Sequence, residues 1–316
     1  MDFRKKNGKK IKEDKKNEEI NDKVGPYVKT KKKKSGLAST IILTLIFCTG
    51  IGLLVYPTVA NWWNSFHATQ ATVAYNEIIE SLDSHQYDEV LEKAYQYNRD
   101  LITNPGRFSP SKQEHENYMD QLSVGGTTVI GSIRIPTIRV DLPIYHGTDD
   151  TVLAIGAGHM EGSSLPVGGK GTHAVITGHR GLPSAELFTR LDEVVEGDVV
   201  ILNVLREKYT YQIDTIRIVE PEEISQLKID PEKDQITLVT CTPYGVNTHR
   251  MLLTGHRVEN EIDPYDGNSD MKQIRPAQVA LFIAVPLIIV AFGYLVWGSR
   301  RKNEEEDEHE DEEDQD

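Results

Sequence analysis

The sequence predicts a mostly β fold, a single all-β barrel or sandwich, flanked by two long apolar helices. Three observations lead to this prediction: regularly spaced β-rich runs within residues 129–260, two uncharged apolar runs, and a 316-residue chain whose net charge of −14 is unevenly distributed. The β-rich runs follow one another too closely for βαβ units. They are VIGSIRIP, LPIYHG, HAVITGH, DVVILNVL, KYTYQIDTIRIV, ITLVTC and RMLLTGHRV. One insert among them, SAELFTRLDEV at residues 184–194, is predicted to be helical.

The two apolar runs, residues 36–55 and 277–297, are each long enough to cross a bilayer. Four lysines at 31–34 precede the first run, and Arg and Lys at 300–302 follow the second. Positive residues stay on the cytoplasmic side, so both termini are predicted inside and the β-rich domain outside. Pro286 predicts a kink in the second helix. For the first run, a cleaved signal peptide is the alternative, although the segment before it is long for an n-region.

A helical region separates the first apolar run from the β-rich runs. Residues 69–102 carry apolar residues at helical spacing, and the sequence NPGRFSPS at 104–111 breaks the pattern. The lysine-rich N-terminal segment and the acidic C-terminal end have no such periodicity and predict disorder. Lysines beside an apolar run favour anionic lipid over nucleic acid as their partner.

The predicted organisation follows from these patterns. It comprises a basic cytoplasmic segment (1–35), a transmembrane helix (36–57), an extracellular helical region (58–128), a β-barrel (129–260), a linker (261–276), a second transmembrane helix (277–298) and an acidic cytoplasmic tail (299–316).

Residues 235–258, QITLVTCTPYGVNTHRMLLTGHRV, predict two antiparallel strands joined by a turn-rich loop. Cys241 ends the first strand and Arg250 begins the second, so the loop brings a thiol close to a guanidinium. A neighbouring cation favours the thiolate, the nucleophilic form of cysteine. The only other cysteine, Cys48, lies in the first apolar run, so Cys241 is either a buried free thiol or a reactive one. The second interpretation predicts a cysteine nucleophile for acyl transfer.

Acyl transfer by a thiolate also needs a group that accepts and returns a proton, and histidine does so near neutral pH. His179 is the preferred candidate, because it ends the run HAVITGH and meets a loop, where side chains converge on clefts. His173, six residues earlier and in the same strand phase, is the main rival. The histidines of the β-rich region are His146, His159, His173, His179, His249 and His256.

The residues predict no metal or cofactor site. Cys241, His249 and His256 lack the spacing of a zinc motif. The glycine-rich residues 168–172 lack the GK[ST] ending of a phosphate loop, and DPYDGNSD at 263–270 fails the calcium-loop spacing.

TLVTC ending in Cys241, the downstream Arg250 and ITGHRG around His179 together resemble the sortases, the cysteine transpeptidases of Gram-positive cell surfaces. The segments LPIYHGT, GHMEGSSLPVGGKGTH and GHRGLPSAELFTRLDEV are similar to the pilus-assembling, class C branch in particular. The resemblance covers about residues 129–258 and agrees with two membrane spans. It implies a closed sortase β-barrel of about eight strands with short helices.

The resemblance also implies a role for each site residue. Cys241 would attack the Thr–Gly bond of an LPXTG-like sorting signal and form a thioester, with His179 as acid and base. Arg250 would orient the substrate or stabilise the tetrahedral oxyanion, and Thr240 would help to line the substrate site. A lysine amine of a pilin subunit would then resolve the thioester without any cofactor. The implied partners are LPXTG-bearing surface or pilin proteins and the cell membrane, with the catalytic domain outside.

Class C sortases often carry a lid before the barrel, in which an Asp-Pro-aromatic motif plugs the active site. The matching residues here are Asn104, Pro105 and Phe108, with Asn in place of Asp and the aromatic displaced by two residues. Asn could offer Arg250 a neutral hydrogen bond, whereas Asp could form a stronger ion pair. A lid therefore competes with an ordinary proline-rich linker over 104–111.

Three functional alternatives stand beside pilus assembly. A sortase that anchors proteins to the cell wall would use a peptidoglycan amine instead of a pilin lysine. A hydrolytic cysteine protease would release a free acid. A catalytically silent membrane protein would bind a surface partner through the β-domain, but it would not need a lone cysteine beside arginine and histidine.

Overall fold

The computed structural model describes residues 35–260, 284–295 and 297–298. The basic residues 1–34, the predicted linker and the acidic tail lie outside the described residues, as does part of the second apolar run. The described residues form two compact units, one of residues 35–50 with 292–295 and 297–298, and one of residues 51–260 with 284–291. In the first unit, the rings of Phe47 and Phe292 stack with their centroids 3.9 Å apart.

Among the described helices, α1 is the one long and apolar enough to cross a membrane, over Thr40–Ser81. The apolar helix near the C-terminus is shorter, and the described residues leave the second predicted span unconfirmed. The helices are α1 (Ser35–Ser81), α2 (Ser84–Ile102), α3 (Lys112–Asp120), α4 (Asp150–Leu153) and α5 (Ala284–Leu295).

The helical pattern predicted over residues 69–102 proves to be two helices. The Asp83 carboxylate accepts a hydrogen bond from the Gln86 amide (2.8 Å), and the Gln86 side chain accepts one from the Asp83 amide (3.2 Å). Ser111 and Glu114 make the same reciprocal pair at the start of α3. Such capping boxes satisfy the free amides of a first helical turn, so each begins a new helix.

The β-rich region is a closed barrel of eight strands in the order β1-β2-β3-β4-β7-β8-β6-β5. This confirms the predicted mostly β fold and decides for a barrel over a sandwich. The strands are β1 (Val129–Ile135), β2 (Val140–His146), β3 (Ala157–His159), β4 (Thr172–Thr177), β5 (Val199–Val204), β6 (Glu207–Val219), β7 (Asp234–Thr242) and β8 (His249–Val258).

Side chains of the central strands alternate between two apolar clusters, as the two-residue period of a strand requires. Ile236 and Leu238 of β7 belong to the large core inside the barrel. Val239 belongs instead to a smaller cluster on the other side of the sheet, with Val175, Leu227 and Leu252. We call this second set the outer cluster. Cys241 follows Val239 by two residues, so it lies on the side of the outer cluster.

Helices α1 to α3 pack on the barrel through buried polar contacts. The Tyr75 hydroxyl of α1 donates to the Ile130 carbonyl (3.1 Å) and accepts from the Leu205 amide (2.8 Å). Asn98 of α2 makes two hydrogen bonds with the backbone of Leu165 (2.7 and 3.0 Å). Each bond between buried groups contributes about 1 kcal/mol, so these contacts fix the helices in register with the strands.

The helix predicted over residues 184–194 is wrong. The segment forms turns, and its one helical piece is the short 3-10 helix Leu191–Glu193. Its apolar residues Phe188 and Leu191 are fully buried in the barrel core, and Leu187 has a left-handed φ of 39°. Tertiary burial of these side chains overrides the local helical spacing.

Candidate active site

Three neighbouring strands bring the predicted site residues together. In the parallel pair β4–β7, Thr177 lies opposite Val239, and the Gly178 amide donates to the Val239 carbonyl (3.0 Å). His179 is two residues beyond Thr177 and Cys241 two beyond Val239, so the two are level at the carboxyl ends of adjacent strands. In the antiparallel pair β7–β8, Cys241 lies directly opposite Arg250. Adjacent strands are about 4.8 Å apart, so Cys241 is flanked by His179 and Arg250.

The sequence-predicted strand pair is confirmed at this point. Strands β7 and β8 are antiparallel, and the loop between them contains a turn in which the Asn247 amide donates to the Pro243 carbonyl (3.0 Å). Asn247 has a left-handed φ of 62°, which asparagine tolerates better than most residues. Residues directly opposite in such a pair point to the same side of the sheet, so the thiol and the guanidinium share one face.

Cys241 is a free, half-buried thiol. It is neither enclosed in the barrel core nor on an open surface, because it stands at the end of the outer cluster. The sequence left two interpretations open, a buried structural thiol and a reactive one. The half-burial of Cys241 favours the reactive one, because a substrate can reach the thiol along the sheet face.

His179 stands just past the end of β4, with 29% of its side chain exposed. Its Nε2 lies 4.0 Å from Oδ1 of Asp150, and its carbonyl accepts a hydrogen bond from the Phe188 amide (3.1 Å). The preceding Gly178 packs directly on the Phe188 ring, where a Cβ would come within 2.5 Å of a ring carbon. The backbone at His179 is therefore fixed by the loop that follows it, while the imidazole stays accessible.

Arg250 has its guanidinium at the β7–β8 loop. Its Nη1 donates to the carbonyls of Asn247 (3.3 Å) and His249 (3.2 Å). Within residues 35–260, no carboxylate lies within ion-pair distance of it, so its charge is available to a substrate carbonyl or oxyanion. This is the electrostatic requirement for stabilising negative charge in acyl transfer.

Arg180 is a residue of the site that sequence reasoning missed. Its side chain is only 8% exposed and forms an ion pair with Asp192 (Nη2 to Oδ2, 2.5 Å). Its Nη1 lies 3.4 Å from the Thr242 hydroxyl, and its guanidinium stands 5.8 Å from the centroid of the Tyr244 ring. Arg180, the residue after His179, thus contacts Thr242, the residue after Cys241. Its position beside His179 in the sequence was the available signal.

Thr240 lies on the inner side of β7, opposite to Cys241. It is 1% exposed, and its hydroxyl donates to the Gly178 carbonyl (2.8 Å). The family resemblance implies that Thr240 helps to line the substrate site, and this remains a prediction; in the structure its hydroxyl is buried and bonded to the backbone. Its contact ties β7 to the residue before His179.

His173, the rival base, is excluded by burial. It is 1% exposed; its Nδ1 lies 2.8 Å from the Lys228 carbonyl and its Nε2 lies 2.7 Å from the Thr237 hydroxyl. Burial lowers the pKa of His173. With both ring nitrogens engaged, this histidine has none left for a substrate proton.

Two further histidines, His146 and His159, are also buried, and their pKa values are lowered by burial, that of His159 to about 4. His249 and His256 face the carboxylates of Glu220 (3.3 Å) and Asp214 (2.9 Å) at the surface. Among the described residues, no group of His, Cys, Asp and Glu side chains could hold a metal ion.

The predicted lid segment covers the sheet face next to the site. Phe108 packs on the outer cluster, which contains Val239 and Leu252. These two residues pair directly with each other, two residues before the Cys241–Arg250 pair. The Asn104 side chain does not point to Arg250. Its oxygen accepts from the Gly106 amide (2.9 Å) and its nitrogen donates to Glu114 (3.3 Å), which closes a local turn.

Arg107 fastens this segment to the barrel. Its guanidinium donates to the carbonyls of Gly162 and Leu227 (2.5 Å for Leu227) and lies 4.1 Å from the centroid of the Phe108 ring. Burial lowers the pKa of Arg107. Gly162 has a φ of 82°, and a Cβ there would collide with the Arg107 carbonyl. The segment is therefore held on the face by the half-buried Arg107 cation rather than by an Asp at position 104.

Comparison with known proteins places this geometry in a family. Residues 133–258 match the family model described as the sortase domain. Sortase C1 from Streptococcus agalactiae has a similar structure, with 45% identity and a TM-score of 0.59 over 61% of this chain and all of that one. A lid mutant of sortase A from Corynebacterium diphtheriae is 48% identical, with a TM-score of 0.53 over 59% of this chain and all of that one.

A third solved structure contains a peptide. It is sortase C from Clostridium perfringens with the C-terminal cell wall sorting motif, 37% identical, with a TM-score of 0.54 over 61% of this chain and all of that one. The matched segments include the strands that carry Cys241 and Arg250. With a thiol flanked by imidazole and guanidinium on one face of an eight-stranded barrel, the chain belongs to the sortase family of cysteine transpeptidases.

Proposed function

We propose that this protein is a membrane-anchored pilus-type sortase. It cleaves an LPXTG-like sorting signal between Thr and Gly and transfers the acyl group to a lysine amine of a pilin subunit. The observation that carries the proposal is the position of Cys241, which lies opposite Arg250 on β8 and level with His179 beyond β4. The catalytic roles of these three residues follow from that arrangement.

In the first half-reaction, the Cys241 sulfur attacks the threonine carbonyl carbon, and the thiol proton passes to His179. The carbonyl oxygen becomes an oxyanion, which the Arg250 guanidinium stabilises. His179 then protonates the glycine nitrogen, the C–N bond breaks, and a thioester remains on Cys241. The partly exposed imidazole at the strand end supports this role for His179, whereas the burial of His173 argues against it.

In the second half-reaction, an amine attacks the thioester carbonyl and gives its proton to His179. The C–S bond breaks, Cys241 recovers its proton, and a new amide bond forms. Thr240 and Arg180 act without touching the substrate: the Thr240 hydroxyl donates to the Gly178 carbonyl, and the Arg180 guanidinium contacts the side chains of Asp192 and Thr242. Both hold the histidine loop beside the cysteine strand.

The sorting-signal substrate is supported by the sheet face beside the thiol. The outer cluster, on which Phe108 packs, is an apolar surface that ends at Cys241, and it suits the leucine and proline of such a signal. The C. perfringens relative was solved with a cell wall sorting motif. The pilin acceptor is supported by the sortase C relatives, and a peptidoglycan amine is the alternative, since a sortase A is also among the similar structures.

We further propose that residues 104–111 form a lid over this face. Phe108 occupies the apolar surface that a substrate would use, and Arg107 holds the segment in place through two carbonyls. Asn104 contributes to the turn of the lid instead of contacting Arg250. A lid mutant of the similar C. diphtheriae enzyme supports this interpretation.

The proposed topology has two membrane helices, both termini cytoplasmic and the barrel outside, with the segment boundaries predicted from the sequence. The long apolar part of α1 supports the first span. The stacked Phe47 and Phe292 rings support an adjacent second one. Single cysteines introduced as Asn268→Cys and Asn303→Cys, with Cys48 and Cys241 replaced by Ala, test it. A membrane-impermeant maleimide should label only the first in intact cells, and labelling of the second alone would refute the topology.

The test of function uses the full chain in lipid nanodiscs with an LPXTG peptide and two amines, a lysine-containing pilin peptide and a peptidoglycan cross-bridge peptide. Wild-type protein should yield the isopeptide with the pilin lysine, identified by mass spectrometry. Cys241→Ala should yield no product with an unchanged thermal midpoint, because no thioester can form. Full activity of Cys241→Ala would refute the mechanism. A cross-bridge product would replace pilus assembly with wall anchoring, and free acid alone would indicate a hydrolase.

A further inference from the structure

Helix α1 makes two backbone hydrogen bonds with the loop that follows His179. The Asn64 side-chain nitrogen donates to the Ser184 carbonyl (3.0 Å), and the Asn61 side-chain oxygen accepts from the Glu186 amide (2.9 Å). These residues are 120 and 125 positions apart in the sequence. Two side-chain amides one helical turn apart thus bind a backbone carbonyl and a backbone N–H that are two residues apart. This pair of contacts fixes the position of the loop along the helix.

The contact is part of a continuous helix face. Asn61, Asn64 and Ala68 recur at helical spacing, and all three line one cavity of about 80 Å³ with Ala185 and Leu187 of the loop. Ala68 is 6% exposed, while Trp62 and Trp63 between the two asparagines are more than half exposed. The asparagines therefore sit on the packed side of α1 and not on its free side.

From the two asparagines, a short chain of contacts leads to the backbone of His179. Ser184 and Glu186 precede Leu187, whose left-handed φ of 39° turns the loop so that Phe188 enters the core. The Phe188 amide then donates to the His179 carbonyl (3.1 Å). On its other side, the same loop is held at Gly181 by the Thr189 hydroxyl (3.2 Å).

We infer that Asn61 and Asn64 are positioning residues for His179, and this inference rests on the proposed function of His179 as acid and base. They contact neither the thiol nor the outer cluster. They hold the loop that follows His179, and the position of this loop fixes the position of the imidazole. Because both lie on the helix that carries the apolar run, the membrane anchor also positions the catalytic histidine. Displacements of about 1 Å at a catalytic group can cost about a hundredfold in rate, so even a partial release of the loop is measurable.

The two contacts have opposite polarity, and this gives a sharp test. Asn61 needs only an oxygen, so Asn61→Asp keeps the hydrogen bond from the Glu186 amide. Asn64 needs an N–H, so Asn64→Asp sets a carboxylate oxygen against the Ser184 carbonyl and repels it. Both variants add the same charge one turn apart on one helix, so any general effect of charge near the membrane is the same for both.

In the full chain in lipid nanodiscs, Asn64→Asp should lower the kcat of transpeptidation about tenfold with KM for the sorting peptide unchanged. Asn61→Asp and the exposed Asn76→Asp of the same helix should stay within about twofold of wild type, because they keep the loop contacts. Asn64→Ala removes the donor without adding charge, so its kcat should fall less than that of Asn64→Asp. It replaces Asn64→Asp as the test variant if the latter does not fold.

Hydrogen exchange of residues 180–190 provides a readout that does not depend on catalysis. These amides should exchange faster in Asn64→Asp than in wild type, and at the wild-type rate in Asn61→Asp. Equal kcat and equal exchange for the two Asp variants would overturn the inference, as would a fall in thermal midpoint with kcat unchanged. Absence of transpeptidation in the wild type would instead refute the proposed function and leave the exchange result to decide the role of the asparagines.

Discussion

His173 lies in β4 and His179 lies two residues past its end, and the two side chains are in the same strand phase. The structure nevertheless gives them opposite environments. His173 lies within β4, is 1% exposed and has both ring nitrogens within hydrogen-bond distance of protein oxygens. His179 lies beyond the strand end, is 29% exposed, and its ring makes no hydrogen bond within residues 35–260. A proton shuttle needs a free ring nitrogen and a structural histidine needs none. The end of the strand thus separates the proposed acid and base, His179, from a histidine that packs within the protein.

The largest expected effect comes from exchanging these two histidines for alanine. His179→Ala should lower kcat/KM about 10³-fold with little change in thermal midpoint, because it removes the acid and base but no packing. His173→Ala should lower the free energy of unfolding by about 2 kcal/mol, because the Lys228 carbonyl and the Thr237 hydroxyl lose their buried partner. The measurements are steady-state transpeptidation and thermal unfolding.

His256→Ala is the matched control for this pair. This histidine is half exposed and faces Asp214 at the surface, so its loss should change neither activity nor stability appreciably. A fully folded His173→Ala protein that is as inactive as His179→Ala would reverse the assignment of the two histidines.

Another buried histidine, His159, should make the stability of the protein depend on pH. The Nε2 of His159 donates to the Ser164 carbonyl (2.8 Å), and its Nδ1 faces the Tyr118 hydroxyl (3.0 Å). Burial lowers the pKa of His159 from 6.5 to about 4, so between these values the unfolded chain binds the proton and the folded chain does not. Stability should therefore be constant above pH 6.5 and fall between pH 6.5 and pH 4, by roughly 3 kcal/mol from this group.

Buried His146 and His173, whose pKa values are also lowered, add to the loss in the same direction. Unfolding followed by urea across this pH range measures the slope. His159→Gln, which does not titrate, should give a shallower slope, and an unchanged slope would show that another group is responsible.

The exposed side of the comparison was predictable from the sequence because its signals are local. The alternating runs on both sides of a Pro-Gly-Asn loop predict the β7–β8 pair, and that pair alone sets Cys241 opposite Arg250. The eight-stranded barrel follows from the same regular runs, together with the family resemblance. His179 is level with Cys241 because two parallel strands end together, a relation that the resemblance implies but that no local pattern contains.

The buried side could not be predicted, because it depends on contacts between distant segments. His173 is covered by Lys228 and Thr237, which lie 55 and 64 residues away, so the run HAVITGH shows which histidine ends the strand but not which one is buried. The same is true of Arg180, whose contact with Thr242 spans 62 residues. The helix predicted at 184–194 failed for this reason too, since burial of Phe188 in the barrel core decides the shape of that loop.

The smallest expected effect concerns Phe108, which covers the sheet face between the two histidine positions. In a Cys48→Ala background, Phe108→Ala should raise the rate of Cys241 alkylation by a small reagent about fivefold, because a lid that loses about 1 kcal/mol of apolar contact opens more often. Arg107→Ala should act in the same direction, through its lost carbonyl bonds. Phe66→Ala, at an exposed position of α1, is the matched control and should leave the rate unchanged. Identical rates in all three variants would make residues 104–111 an ordinary linker, so that the half-burial of Cys241 would come from the barrel alone.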